Sequence, residues 1–485
     1  MSLVPVSPLQ QRQAGVLLHP TSLPGEGAQG VLGDDAIHFI DFLSASRQSV
    51  WQILPLGPTH EDGSPYQSYS AFAGNPRLIS LKKLQEWLPG AYHTDDLDAA
   101  INALHHFLEQ PEGSALKRKF DQFLLEQKHW LEDYALFMLI KEMQAQKGWF
   151  DWPQPLRDRQ HLALCHLQQH HDDHLQFIRL QQFCFYQQWN AVKKIANTKG
   201  ISIFGDMPIF VAHDSADVWV NRSLFKLDGE GRPTVVAGVP PDYFSATGQR
   251  WGNPVYDWRV HALDGYRWWV MRLQHQLKLF DLVRIDHFRG FEACWEIPVS
   301  EKTAIHGKWV VSPGEALFTR LYQEIHPLPL IAEDLGTITK EVIALRQRFA
   351  LPGMKILQFA FDGNNDNPYL PHNHEKNSVI YTGTHDNDTT VGWYNNLSSE
   401  EQQRIYRYLG WPTLSMPTPL IMSCYASVAR LAVVPMQDLL ELGGESRMNT
   451  PGTTQGNWQW RFAWHDIPGD LSERLAQMVE RYQRG

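Results

Sequence analysis

The chain has 485 residues, 43% hydrophobic and 20% charged, which is ample for a large buried core. A formal charge of −10 argues against nucleic acid or an anionic membrane surface as partner, and no apolar run is long enough to cross a bilayer. Four widely spaced cysteines, Cys165, Cys184, Cys294 and Cys424, suit a reducing cytoplasm better than a disulfide framework.

Residues 1–13 lack the charged start and apolar stretch of a secretory signal. The first predicted strand covers residues 14–18. Gly25, Gly27 and Gly30 then spell the spacing of a dinucleotide fingerprint. That motif needs its first glycine in a strand-to-helix turn, whereas six residues, two of them proline, intervene here, so the stretch reads as a loop. A helix is predicted to start near Asp34, and a second strand over 49–54 leads into a polar loop, 59–75, that holds Tyr66. Residues 77–199 read as a mostly helical insertion. Within it, 115–143 has helical apolar spacing and neither glycine nor proline. His166, His170 and His174 have i, i+4 spacing that could hold a metal, but in a chain with 22 histidines a polar helix face or a helix junction is the plainer reading, and no metal site is assigned.

A third strand, 200–206, ends in Asp206. The interval 207–280 is far longer than one crossover needs and is expected to form a wall of a substrate cleft. It contains a hairpin signal at Asp228-Gly229 and a loop over 238–254 rich in aromatics, amides and prolines, including Tyr243, Phe244, Gln249 and Trp251. Further strands are predicted at 280–286, 328–334, 354–359, 378–382 and 431–435. Eight strands alternating with helices predict an α/β (β/α)8 barrel, with helical and loop insertions and no C-terminal β-domain, as one catalytic domain over 1–485.

Asp206, Asp286, Glu333 and Asp386 end or follow the third, fourth, fifth and seventh of these strands, so in a closed barrel they ring one pocket. Arg284 should share a strand face with Asp286 and keep it ionised. Glu333 follows an apolar run, and both desolvation and the charge of Asp286 should raise its pKa. An ionised carboxylate beside a protonated one is the arrangement that retaining cleavage of a glycosidic bond requires. Asp334 should point away from the pocket.

The set resembles the 4-α-glucanotransferases (amylomaltases, disproportionating enzymes) of glycoside hydrolase family 77, relatives of the α-amylases. The resemblance rests on Ser64 to Ser68, Ala71 to Pro76, Gly205 to Ile209, Gly238 to Pro254, Arg284 to Gly290, Ala332 to Gly336, Thr384 to Asn387, Arg447 to Asn449 and Gly456 to Trp458. It implies three catalytic residues, Asp286 as nucleophile, Glu333 as acid/base, and Asp386, which with His385 binds the reacting sugar's hydroxyls and stabilises the transition state. It implies Tyr66 as an aromatic platform, with Asp206, Gln249, Trp251, Arg284 and His287 as further substrate-binding residues. The implied substrates are α-1,4-glucans and maltooligosaccharides, with no cofactor.

Overall fold

Eight short buried segments form parallel strands: β1 (Gln13–Leu17), β2 (Val50–Gln52), β3 (Ser202–Pro208), β4 (Leu282–Asp286), β5 (Leu330–Ala332), β6 (Gly353–Ile356), β7 (Ser378–Tyr381) and β8 (Leu431–Pro435). They appear in a computed structural model that describes residues 5–25, 27–90, 92–241, 245–411 and 413–485. Hydrogen-bonded neighbours run β6-β7-β8-β1-β2-β3-β4-β5. The two ends of that order meet: the Ala332 N–H donates to Pro352 O at 2.9 Å and the Met354 N–H to the Asp334 carboxylate at 2.7 Å. The sheet thus curls into a (β/α)8 barrel. β1 is flanked by β8 on one side, with Gln13 opposite Leu431, and by β2 on the other.

Strand alternation decides what lines the barrel. Leu17, Val50, Phe204, Leu282, Ile331, Met354, Val379 and Leu431 belong to one buried cluster, the interior. The residues two positions on from the members in β3 and β4, Asp206 and Arg284, share that parity and point to the same side at the carboxyl ends of the strands. Their outward neighbours, such as Ile203, Val283 and Leu330, join the larger core between barrel and helices. The sixth strand is shorter than predicted, because Leu357–Phe359 tightens into a 3-10 turn.

Between β2 and β3 the chain is mainly helical, with Leu97–Leu108, Ser114–Gln127, Leu131–Met143, His161–His170 and Asp172–Thr198 as the longer helices. The stretch expected to be helical over 115–143 is broken before Leu131. Trp130 takes φ −141°, donates its indole N–H to Gln127 Oε1 at 2.9 Å, and is buried among Phe72, Tyr134, Tyr186 and His275. Tertiary packing of one large ring overrides local propensity there. The histidine-rich stretch spans a helix junction at His171, with His166 and His170 stacked at 4.1 Å. Among the described residues no group of three His, Cys, Asp or Glu side chains could hold a metal ion, and no helix is long and apolar enough to cross a membrane.

The sequence reading of 238–254 as a loop needs correction. Val235–Val239 and Gln249–Pro254 are antiparallel strands, extended by Ala293–Pro298 and Lys308–Val311 into a four-stranded sheet beside the barrel mouth. Its glycines and prolines read as breakers, but Gly238 is there for close approach: a Cβ would lie 2.2 Å from Gln249 O. Tyr243 and Phe244 lie outside the described residues.

Candidate active site

The register of β3 against β4 sets Asp206 directly beside Arg284. The Arg284 guanidinium takes both neighbouring carboxylates. Nη1 donates to both oxygens of Asp206, at 2.8 and 2.7 Å, and Nη2 to Asp286 Oδ1 at 2.7 Å. Arg284 is 5% exposed and Asp206 fully enclosed, whereas the Asp286 side chain keeps 31% of its surface. Of the two carboxylates, only Asp286 is open to a ligand. Burial alone would favour a neutral arginine, but Asp206 and Asp286 hold Arg284 firmly protonated.

Glu333 stands one residue beyond β5, where its N–H donates to Ile285 O at 3.0 Å. His287 adopts a left-handed φ of +54°, and its main-chain N–H donates to Glu333 Oε2 at 2.7 Å. The Leu335 N–H meets Oε1 at 3.0 Å. The Glu333 carboxyl is nevertheless pushed up to about 8, by burial first and then by the charge of Asp286, against the pull of Arg284 and the two N–H groups. That shift favours the protonated acid at neutral pH. Asp334 turns the other way as expected, toward Arg346 Nε at 3.1 Å and the Met354 N–H.

Tyr66 reaches in from the loop after β2. Its hydroxyl donates to Asp206 Oδ2 at 2.7 Å, and its ring stacks on His385 at 5.1 Å. Main-chain clamps from the long helix fix that loop. The Gln182 amide donates to Gly74 O (2.9 Å) and accepts from Gly74 N–H (2.8 Å), and Gln188 does the same at Ser80 (2.9 and 2.7 Å). Asp217 adds a bond from the Ala71 N–H at 2.7 Å. After β7, the Asn387 side chain folds the turn by accepting from the Thr384 N–H and hydroxyl, both at 2.9 Å. Asp386 ends up 49% exposed, 3.5 Å from His385 Nε2.

The structure therefore brings Asp206, Arg284, Asp286, Glu333, His287, Tyr66, His385 and Asp386 to one end of the barrel. Trp251 joins from the small sheet, its ring edge-on to His287 at 4.8 Å, and its indole donates to Gln249 Oε1 at 3.1 Å. Among the described residues, Gln249 meets the site through Trp251. Three participants had no assigned role in the sequence. Asn449 donates to Asp386 Oδ1 at 2.7 Å, Arg447 donates to Asp386 O at 2.9 Å, and the Trp458 ring lies 6.0 Å from the rings of both Tyr66 and His385. Their only signal was membership of the resemblance motifs at 447–449 and 456–458. A cavity of about 230 Å³ opens beside Trp458, lined in part by His19, Thr21, Asn75, Asn457 and Trp460.

The profile of glycoside hydrolase family 77, 4-alpha-glucanotransferase, matches residues 18–466. The chain belongs to this family. A 4-alpha-glucanotransferase of Thermus thermophilus is 49% identical, over 98% of this chain and 99% of its own length. One from Synechocystis is 47% identical over the same shares. The amylomaltase of Streptococcus agalactiae, solved in complex with acarbose, superposes with a TM-score of 0.93 at 38% identity, covering 98% of this chain and all of that one. The chain is thus a glycosyl-transferring enzyme with 4-alpha-glucanotransferase activity, built on the family's (β/α)8 barrel.

Proposed function

We propose that this 4-alpha-glucanotransferase works by retaining double displacement on α-1,4-glucans, with Asp286 as nucleophile and Glu333 as acid/base. The observation that carries the reading is the contrast between the two carboxyls: Asp286 is fixed and partly open beside Arg284, while Glu333 is held neutral. In the first step Asp286 bonds to the anomeric carbon, the glycosidic C–O bond breaks, and Glu333 gives its proton to the departing oxygen. Asp286 loses its charge on glycosylation, so the pressure that kept Glu333 protonated falls. Glu333 then takes the proton of an acceptor hydroxyl as that oxygen displaces Asp286, and the original configuration returns.

Asp386 and His385 bind hydroxyls of the reacting ring, with Tyr66 as the platform. Asp206, enclosed and bonded to both Tyr66 and Arg284, contributes by setting those two groups. His287, whose Nε2 is buried without a partner among the described residues, is a further substrate-binding residue in this reading. The 207–280 segment, with Gln249 and Trp251, forms the wall on the Glu333 side, where leaving group and acceptor sit. Four unpaired cysteines support a cytoplasmic location within the same reading.

Water can also attack the intermediate, so transfer wins only if a bound acceptor is better oriented and water is held off. Pure maltotriose should become glucose plus a ladder of longer maltooligosaccharides, with total reducing ends nearly constant. Reducing ends rising in step with maltotriose consumption would replace transfer by hydrolysis.

A further inference from the structure

The glycine-rich loop whose spacing mimics a dinucleotide fingerprint has another use. A phosphate loop turns N–H groups toward an anion, but this loop turns carbonyls toward a cation. Arg461 Nε and Nη2 donate to Leu23 O at 3.2 and 3.1 Å, Nη2 also to Gly25 O at 2.9 Å, and Nη1 to Gly27 O at 2.6 Å. Gly25 holds φ +132°, a conformation that side chains rarely adopt, so the convergence of carbonyls depends on glycine there.

Arg461 lies three residues beyond Trp458 and three before Trp464. The Trp464 indole donates to Asp35 Oδ1 at 2.6 Å, and its ring stacks on His38 at 3.8 Å. At the other end of the segment, Asn449 and Arg447 grip Asp386. The chain over 447–464 is therefore a strap pinned at both ends across the barrel mouth. The 230 Å³ cavity lies between this strap, through Asn457, Trp458 and Trp460, and the loop after β1, through Thr21 and Gln29. On the transfer reading above, Glu333, Trp251 and His287 face the leaving group, and the cavity lined by His19 and Trp458 takes the glucan segment that stays on the enzyme.

We propose that Arg461 is a positioning residue that sets the distance between the two walls of this cavity, and so the grip on the transferred segment, while touching no reacting atom. The inference rests on the transfer reading above. A planar guanidinium can reach three separate carbonyls at once, whereas an ammonium group, a single point of charge, cannot span them.

The test compares wild type, Arg461→Lys and Arg461→Ala in initial-rate measurements against maltotriose. KM should rise about tenfold in both variants, with kcat within about twofold of wild type. Guanidinium ion at a few millimolar should lower the KM of the Ala variant at least threefold and leave wild type unchanged. If the Ala variant does not fold by circular dichroism, the Lys variant decides alone. An unchanged KM in Arg461→Lys, or a fall in kcat at constant KM, overturns the proposal. If wild type hydrolyses maltotriose instead, the transfer reading falls, and the same KM comparison still decides Arg461.

Discussion

One guanidinium sets the charge order of the site. Arg284 meets Asp206 and Asp286 from a strand position that alternation alone assigns, and Glu333 sits one strand further round. Asp286→Asn and Glu333→Gln should each lower kcat by about three orders of magnitude or more, with circular dichroism unchanged, because in the proposed mechanism each group acts in every cycle. A variant keeping about a tenth of the wild-type rate would remove its residue from the assigned role. The proposed first step needs Glu333 protonated, so the rate should fall as pH rises through about 8, and this limb should be absent from the residual rate of Glu333→Gln. Stability follows the same group. Folded Glu333 keeps its proton between the ordinary value of 4.5 and about 8 while the unfolded chain loses it, so wild-type stability declines across that window. The Gln variant escapes this loss. Its melting temperature relative to wild type should climb from pH 4.5 to 8, by roughly 1 °C per kcal/mol for a chain of this length, and a flat difference would contradict the raised Glu333 pKa.

Among the elements, the long helix Asp172–Thr198 carries the Tyr66 loop through two amides placed six residues apart. Gln182→Ala would leave the buried Gly74 N–H and C=O unpaired. It should cost about 2–6 kcal/mol in urea unfolding, from roughly 1–3 kcal/mol per orphaned group, and raise KM by loosening Tyr66. Equal KM values would separate the clamp from the site. These glutamines also mark where sequence reading stops. The eight strands were legible because each is an apolar run between turn signals, and the ring of Asp206, Arg284, Asp286 and Glu333 follows from period-two alternation. Gln182 looks like any polar residue of an amphipathic helix, and its importance comes from a partner 108 residues away. The break at Trp130, the strands around Gly238 and the grip of Asn449 on Asp386 were hidden for the same reason: each is fixed by a neighbour distant in sequence.

On the scale of the whole molecule, the site draws on nearly the full chain, from His19 and Tyr66 to Trp458, with all four cysteines unpaired. Chemistry that runs on carboxyls alone should be indifferent to chelators and thiols. Dialysis against EDTA or addition of dithiothreitol should leave both turnover and melting temperature unchanged, and a loss restored by a divalent cation would reveal a metal that the described residues do not predict. The closure of the barrel has a consequence in time. β1 emerges from the ribosome first among the strands, yet its partner β8 follows more than four hundred residues later. At roughly 5–20 residues per second, that flank of β1 waits about 20–80 s for its neighbour. Throughout synthesis the nascent chain carries an unpaired, apolar strand edge, which makes a holding chaperone a natural companion of its birth.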